Sequence, residues 1–191
     1  KIQEKKKNTC LFLFGVILLS SNTLFAQTKK YPLFEHFTQA SCGPCAAQYP
    51  FFQAVYVANK SNVHHIAYHT SWPGFDPMYN FNMSESDAMV DYYGVSGVPD
   101  MIVNGAEFGS PAGVTQDVVN NLLSESSPIR VLVTETVAGS TVNVHIEVQT
   151  LGTIPAGTYK IKAAAIERII EYASAPGTNG ELDFPNVFRE S

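Results

Sequence analysis

Two cysteines three residues apart constrain this chain more than any other feature. Cys42-Gly43-Pro44-Cys45 stands between a strand-like run, Tyr31 to Phe37 (YPLFEHF), and a segment from Cys45 to Asn59 whose apolar residues recur at helical spacing. A cross-link here would close almost no loop, and cross-links stabilise through the loops they close. The pair therefore reads as chemistry rather than scaffold. The thiolate is the nucleophile in thiol chemistry, and the unpaired N–H groups at a helix start lower a thiol's pKa. Cys42, just ahead of the helix with its sulfur expected at the surface, is the attacking thiol, and Cys45, one turn in, the resolving thiol. Gly43 and Pro44 form the turn that brings the sulfurs together. Two other readings exist: half a zinc site, which lacks a second cysteine pair, and an inert surface disulfide.

The first 26 residues have the three parts of a secretory signal. Lys5, Lys6 and Lys7 precede an apolar run from Cys10 to Leu19, and a polar stretch leads to Leu24-Phe25-Ala26, after which cleavage is expected. The run is too short for a membrane span, which needs about 20 apolar residues. Cys10 precedes the run, whereas a lipid-modified cysteine would follow it. Export leaves Cys42 and Cys45 as the only cysteines, in a compartment where disulfides persist. Position 1 is Lys and the chain stops at Ser191, so the sequence reads as part of a longer reading frame.

Charge excludes one class of partner. Of 12 Lys+Arg and 17 Asp+Glu, the first 26 residues hold four and one, which leaves residues 27–191 at net −8. Such a chain repels phosphate backbones, and nucleic acid is not an expected partner. Hydrophobic residues at 45% and aromatics at 12% are enough to bury a core.

Val63 to His69 reads as a second strand, and Trp72 to Phe81 as an irregular connection. Ser84-Glu85-Ser86-Asp87 fits a capping box for a helix through Tyr93, closed by Gly94. Asp100 to Val103, Asn104-Gly105 and Ala106 to Phe108 form a hairpin. Ser110 and Pro111 are expected to open a last helix, with Val114, Val118 and Leu122 and either Val119 or Leu123 inward. Beyond Pro128 the texture turns to β: Ile129 to Thr136, then Thr141 to Gln149 with valines alternating as in a half-buried antiparallel strand. Tyr159 to Ile170 is a third strand, and Ala173 to Ser191 reads as loop.

In this context the chain resembles the thioredoxin superfamily. The tetrapeptide Cys42-Gly43-Pro44-Cys45, Pro50 at the position of a helix kink, and Tyr93 to Pro99 (YGVSGVP) in the position of a cis-proline loop carry the resemblance, over roughly residues 31–126. It implies that Pro99 is cis and faces the cysteines, and that the Val98 backbone pairs with an extended substrate. It also points to two departures. Ser41 stands where thioredoxins have Trp, and His36 where they bury an acid beneath the second cysteine. His36 or its neighbour Glu35 is then the candidate proton acceptor for Cys45, and strand alternation allows only one of them inward.

A narrower resemblance, to the outer-membrane-protein-28-related family of Gram-negative envelopes, rests on Glu35 to Cys45, on His69 with Asp76-Pro77, and on Pro176 to Gly180 through Phe184, Asn186, Val187 and Arg189. It implies a periplasmic or outer-membrane-associated protein. The expected architecture is α/β: a thioredoxin-like domain at 27–127 that folds and does the chemistry alone, followed by a partial antiparallel, sandwich-like β domain at 128–191. The expected activity is exported thiol–disulfide oxidoreduction on protein or peptide dithiols and disulfides, with an unidentified redox partner and no cofactor beyond the Cys42–Cys45 disulfide. The rival is a non-enzymatic envelope module that binds a surface partner. His65 and His69 stand about 13 Å apart along their strand, too far for one ion. Cys42, Cys45 and His69 as a copper site is weaker than a hydrogen-bonded strand-end His69, so no metal is expected.

Overall fold

The computed structural model describes residues 27–191, and the secretory signal expected at 1–26 lies outside the described residues. The strands are β1 (Thr28–Lys29), β2 (Leu33–Thr38), β3 (His64–His69), β4 (Asp100–Val103), β5 (Ala106–Gly109), β6 (Ser126–Ser127), β7 (Ile129–Ala138), β8 (Thr141–Thr150), β9 (Ala165–Glu171) and β10 (Asp183–Glu190). The helices are α1 (Gly43–Asn59), α2 (Pro77–Phe81), α3 (Met83–Tyr93) and α4 (Gln116–Leu123). Six strands form one sheet in the order β5-β4-β2-β3-β10-β9. β2 runs parallel to β3 and antiparallel to β4, with α1 crossing from β2 to β3. This β-α-β unit, followed by a hairpin and a closing helix, is the thioredoxin-like α/β order, with β10 and β9 added at the β3 edge.

Alternation along β2 builds both layers. Phe34 points to one face and packs with Tyr49 and Phe52 of α1 and Val119 of α4. Phe37 points to the other and packs with Tyr68 of β3 and Val90 of α3. Burying each such aromatic stabilises the fold by about 1.5–3 kcal/mol. The expected hairpin turn forms with Asn104 and Gly105 at φ 52° and 82°.

Several local expectations are corrected. The cap of α3 is Asn82, whose side chain accepts from the Glu85 N–H at 3.3 Å, rather than Ser84. Ser110 and Pro111 open only a 3-10 turn, Pro111–Gly113, and α4 starts after Thr115, whose hydroxyl accepts from the Val118 N–H. Trp72 to Phe81 contains α2, capped by Asp76.

The larger corrections concern the C-terminal third. The tail does not form a loop: β10 enters the central sheet parallel to β3 at Val187↔Ala67 and antiparallel to β9. Phe184, Val187 and Phe188 are buried there. The boundary expected at 127/128 therefore does not separate two sheets. Pro185 and the left-handed Asn186 (φ 55°) break the alternation by which a strand is recognised. The half-buried strand expected at 141–149 is β8, which among the described residues pairs only with β7, and its valines are exposed, as Val142 at 54% and Val144 at 55% show.

Candidate redox site

Cys42 caps α1. Its backbone is extended (φ −93°, ψ 104°), and its Sγ accepts from the Cys45 N–H at 3.1 Å. The two sulfurs are joined in a disulfide with S–S 2.01 Å and Cα–Cα 5.2 Å. The Val98–Pro99 bond is cis, and the Val98 carbonyl oxygen stands 3.7 Å from Cys42 Sγ. Gly43 and Pro44 are exposed, but Cys42 is 1% and Cys45 0% exposed, which corrects the expectation that the Cys42 sulfur lies at the surface.

Two loops close on the motif. Ser41 Oγ donates to the Phe75 carbonyl at 2.8 Å and accepts from the Thr178 N–H at 3.2 Å. The Asn179 N–H donates to the Ala40 carbonyl at 3.2 Å, and Asn179 Nδ2 reaches the carbonyls of Gln39 and Cys42 at 3.2 and 3.4 Å. A Cβ on Gly177 would collide with the Ala40 carbonyl, and one on Gly74 would stand 2.8 Å from Ser41 Cβ. A small residue is thus required at position 41, and the bulk of a tryptophan would displace both loops. Sequence reasoning missed these contacts because loop-to-loop packing leaves no periodicity.

His36 and Glu35 separate as alternation demands. His36 faces α1 and stacks on Tyr49 at 5.8 Å with 6° between the rings. Glu35 faces α3, where its carboxylate accepts from Tyr93 Oη–H at 2.6 Å. Glu35 is thereby removed as a proton acceptor for Cys45, because the sheet lies between it and α1. Burial raises the Glu35 pKa, with Tyr93 opposing. Burial, with the charges of His65 and His69, holds the His36 ring well below the ordinary histidine value, so it is neutral at neutral pH.

Both ring nitrogens of His36, Tyr49 Oη and His65 Nε2 are buried without a hydrogen-bond partner among the described residues. These residues line a cavity of about 20 Å³ together with Thr38, His69 and Glu181. That is room for one water, which needs two to four polar neighbours. Glu181, on the loop before β10, has its pKa raised by burial, with the Asn179 side chain and His69 opposing. No local sequence pattern points to Glu181, since 145 positions of chain separate it from His36, whose cavity it shares.

His69 is a hydrogen-bonded strand-end histidine. Its Nδ1–H donates to Asp76 Oδ2 at 2.6 Å, both groups buried. Burial alone would raise the Asp76 pKa, but His69 and the Ala40 and Tyr79 N–H groups outweigh it and hold the carboxylate low. Asp76 also accepts from the Ala40 N–H at 2.7 Å, tying the motif loop to α2. Among the described residues no group of three His, Cys, Asp or Glu could hold a metal ion.

No protein-family model matches the chain, and neither does any curated protein sequence. Among solved structures it is similar to HBP35 of Porphyromonas gingivalis, with TM-score 0.60 and 15% identity over 85% of this chain and 56% of that one. It thus spans little more than half of HBP35. The thioredoxin domain of a thiol-disulfide oxidoreductase from Bacteroides vulgatus matches with TM-score 0.36 and 15% identity over 50% of this chain and 81% of that one. A protein from Agrobacterium tumefaciens matches with TM-score 0.43 and 21% identity over 63% and 58%. At these identities the likeness to HBP35 is one of fold. The site itself defines a class: an α/β protein with a Cys-X-X-Cys disulfide capping a helix beside a cis-proline.

Proposed function

We propose that this chain is an exported thiol–disulfide oxidoreductase that acts on protein or peptide substrates without a cofactor. The observation that carries the reading is Cys42 Sγ at the start of α1, 3.1 Å from the Cys45 N–H and 3.7 Å from the Val98 carbonyl. The N–H groups of the first turn stabilise a thiolate there.

In the reducing direction the Cys42 thiolate attacks one sulfur of a substrate disulfide. A mixed disulfide forms and the other substrate sulfur leaves as thiolate. Cys45, deprotonated, then attacks Cys42 Sγ, closing the Cys42–Cys45 bond and releasing the second substrate thiolate. Two electrons have passed to the substrate. In the oxidising direction the steps reverse. His36 passes the Cys45 proton on across the small cavity to Glu181, whose raised pKa suits it to hold one. Val98 and Pro99 shape the groove, with the Val98 backbone pairing to the extended substrate. A redox partner restores the starting state. Membership of the outer-membrane-protein-28-related family, and a place in the periplasm or at the outer membrane, belong to the same proposal.

Burial of Cys42 favours the rival, a non-enzymatic envelope module with a sealed disulfide. One experiment separates them. Cys45→Ser should accumulate mixed disulfides with reducible substrates while Cys42→Ser should not, and the wild-type disulfide should reduce above about −300 mV. A lower potential together with no trapping by either variant would establish the rival.

A further inference from the structure

Residues 27–191 contain eight lysines and arginines, and they are not scattered. Six of them, Lys29, Lys30, Lys60, Arg130, Lys162 and Arg168, line one cleft of about 900 Å³, and none of the sixteen Asp and Glu residues in that span does. Lys30 is paired with Glu125, and Lys162 lies over the Tyr92 ring. Lys60, Arg130 and Arg168 make no ion pair among the described residues. Gathering cations in a chain that is net −8 costs Coulomb energy unless an anion from outside offsets it. β3 enters the cleft with His64, His65 and Ile66, whereas the cysteines follow the far end of the β2–β3 pair, where Thr38 aligns with His69. At strand rise the two places are roughly 17 Å apart. The cleft is therefore separate from the redox motif.

The walls say what kind of anion fits. Val131 and Val133 of β7, Ile166 of β9 and Tyr56 of α1 make the surface between the charges apolar. β7 lines the cleft with four residues and β8 with none. Since β8 occupies one edge of β7, the cleft lies on the side where β7 has no strand partner among the described residues. β9 likewise has β10 on one side only. Open strand edges offer unpaired N–H and C=O groups to an incoming extended chain. Along β7, Arg130 alternates with Val131 and Val133, so a strand laid beside it meets charge on one face and apolar surface on the other.

We propose that this cleft binds an extended peptide segment of alternating acidic and apolar residues, which adds as a strand to the free edge of β7. A small organic anion would use the charges and leave that edge open. This inference does not depend on the redox reading.

The test uses the full 191-residue chain and three probes: an octapeptide of alternating glutamate and valine, its lysine–valine counterpart, and anilinonaphthalene sulfonate as a small apolar anion. The glutamate–valine peptide should bind saturably, weaken as salt is raised, and slow amide exchange in β7. Arg130→Glu with Arg168→Glu should weaken it roughly ten-fold and leave the Cys42–Cys45 potential unchanged. Lys60→Glu, on the exposed end of α1, should also weaken it should the double variant not fold. Equal binding of the lysine–valine peptide, indifference to charge reversal, absence of β7 protection, or a cleft that takes the naphthalene sulfonate but not the peptide would each overturn the proposal.

Discussion

The hairpin β7–β8 and the strand β10 invert what their sequences suggest. β7–β8 has ten aligned residue pairs and a run of alternating valines, yet both its faces are open, with Val133 62% exposed on one face and Leu132 41% on the other. β10 is interrupted by Pro185 and by a left-handed Asn186, yet Val187 is 1% and Phe188 3% exposed. The difference lies in what each strand has beside it. β10 meets the edge of β3, and Phe188 packs on Tyr68 at 4.8 Å between ring centroids. β8 meets only β7. Alternation states which face could be buried, and only a neighbour decides whether it is.

The sharpest way to break this comparison is to remove each region in turn. A chain ending at residue 127 loses β10 and the burial of Phe184, Val187 and Phe188, together worth roughly 5–9 kcal/mol, which is comparable to the whole stability of a domain. It is expected not to fold, against the expectation that residues 27–127 stand alone. Excising 129–150 should by contrast shift stability by about 1 kcal/mol or less, as exposed surface does. The cut ends already meet, since the Leu151 N–H donates to the Pro128 carbonyl at 2.7 Å. Urea denaturation of the two truncated chains reads the difference, and a stable 27–127 fragment would undo the comparison.

Acid should strike the sheet and spare the hairpin. His65 is pushed down by burial from 6.5 to about 3, and His36 is lowered for the same reason. A depressed folded-state pKa means stability that is whole above the unfolded value near 6.5 and is lost as pH falls toward the folded one. The loss should reach about 1.4 kcal/mol per pH unit for each histidine. Denaturant midpoints measured from pH 7 to pH 4 should fall steadily, and His65→Gln should flatten the slope. The same slope in wild type and variant would show that His65 is not held neutral.

The smallest effect tests whether the loop before β10 belongs functionally to the motif it covers. Glu181→Gln removes the carboxylate from the cavity beneath α1 and should slow release of the mixed disulfide several-fold. Initial attack by Cys42 should stay near wild type, because the two steps use different thiols. His36→Ala should act on the same step. Stopped-flow measurement of both phases decides it, and equal slowing of both phases would point to a packing defect instead.

The redox motif, its helix and the hairpin at Asn104-Gly105 were open to sequence reading, because each depends on neighbours within a few positions. Periodicity and turn chemistry are local and survive in the chain as text. Period-two alternation allowed only one of His36 and Glu35 beneath Cys45, but which one faced inward depended on where α1 packed. Ser41 appeared in the sequence only as a missing tryptophan, whereas folding turned it into the junction of the Gly74 and Gly177 loops. Glu181, Asn179 and Thr178 gave no local sign of their place over residues 39–42.

The thiol chemistry open to this chain is written locally, since Cys42-Gly43-Pro44-Cys45 at a strand-to-helix turn carries its thiols, its turn and its helix start within a few positions. Tertiary structure alone decided how open that chemistry is and where the molecule ends its sheet. Burial of Cys42, the water-sized cavity between His36 and Glu181, and the seat of β10 against β3 all arise from contacts across more than a hundred residues. Contact between distant segments is set by which surfaces remain uncovered once local elements have formed, and no local pattern records that.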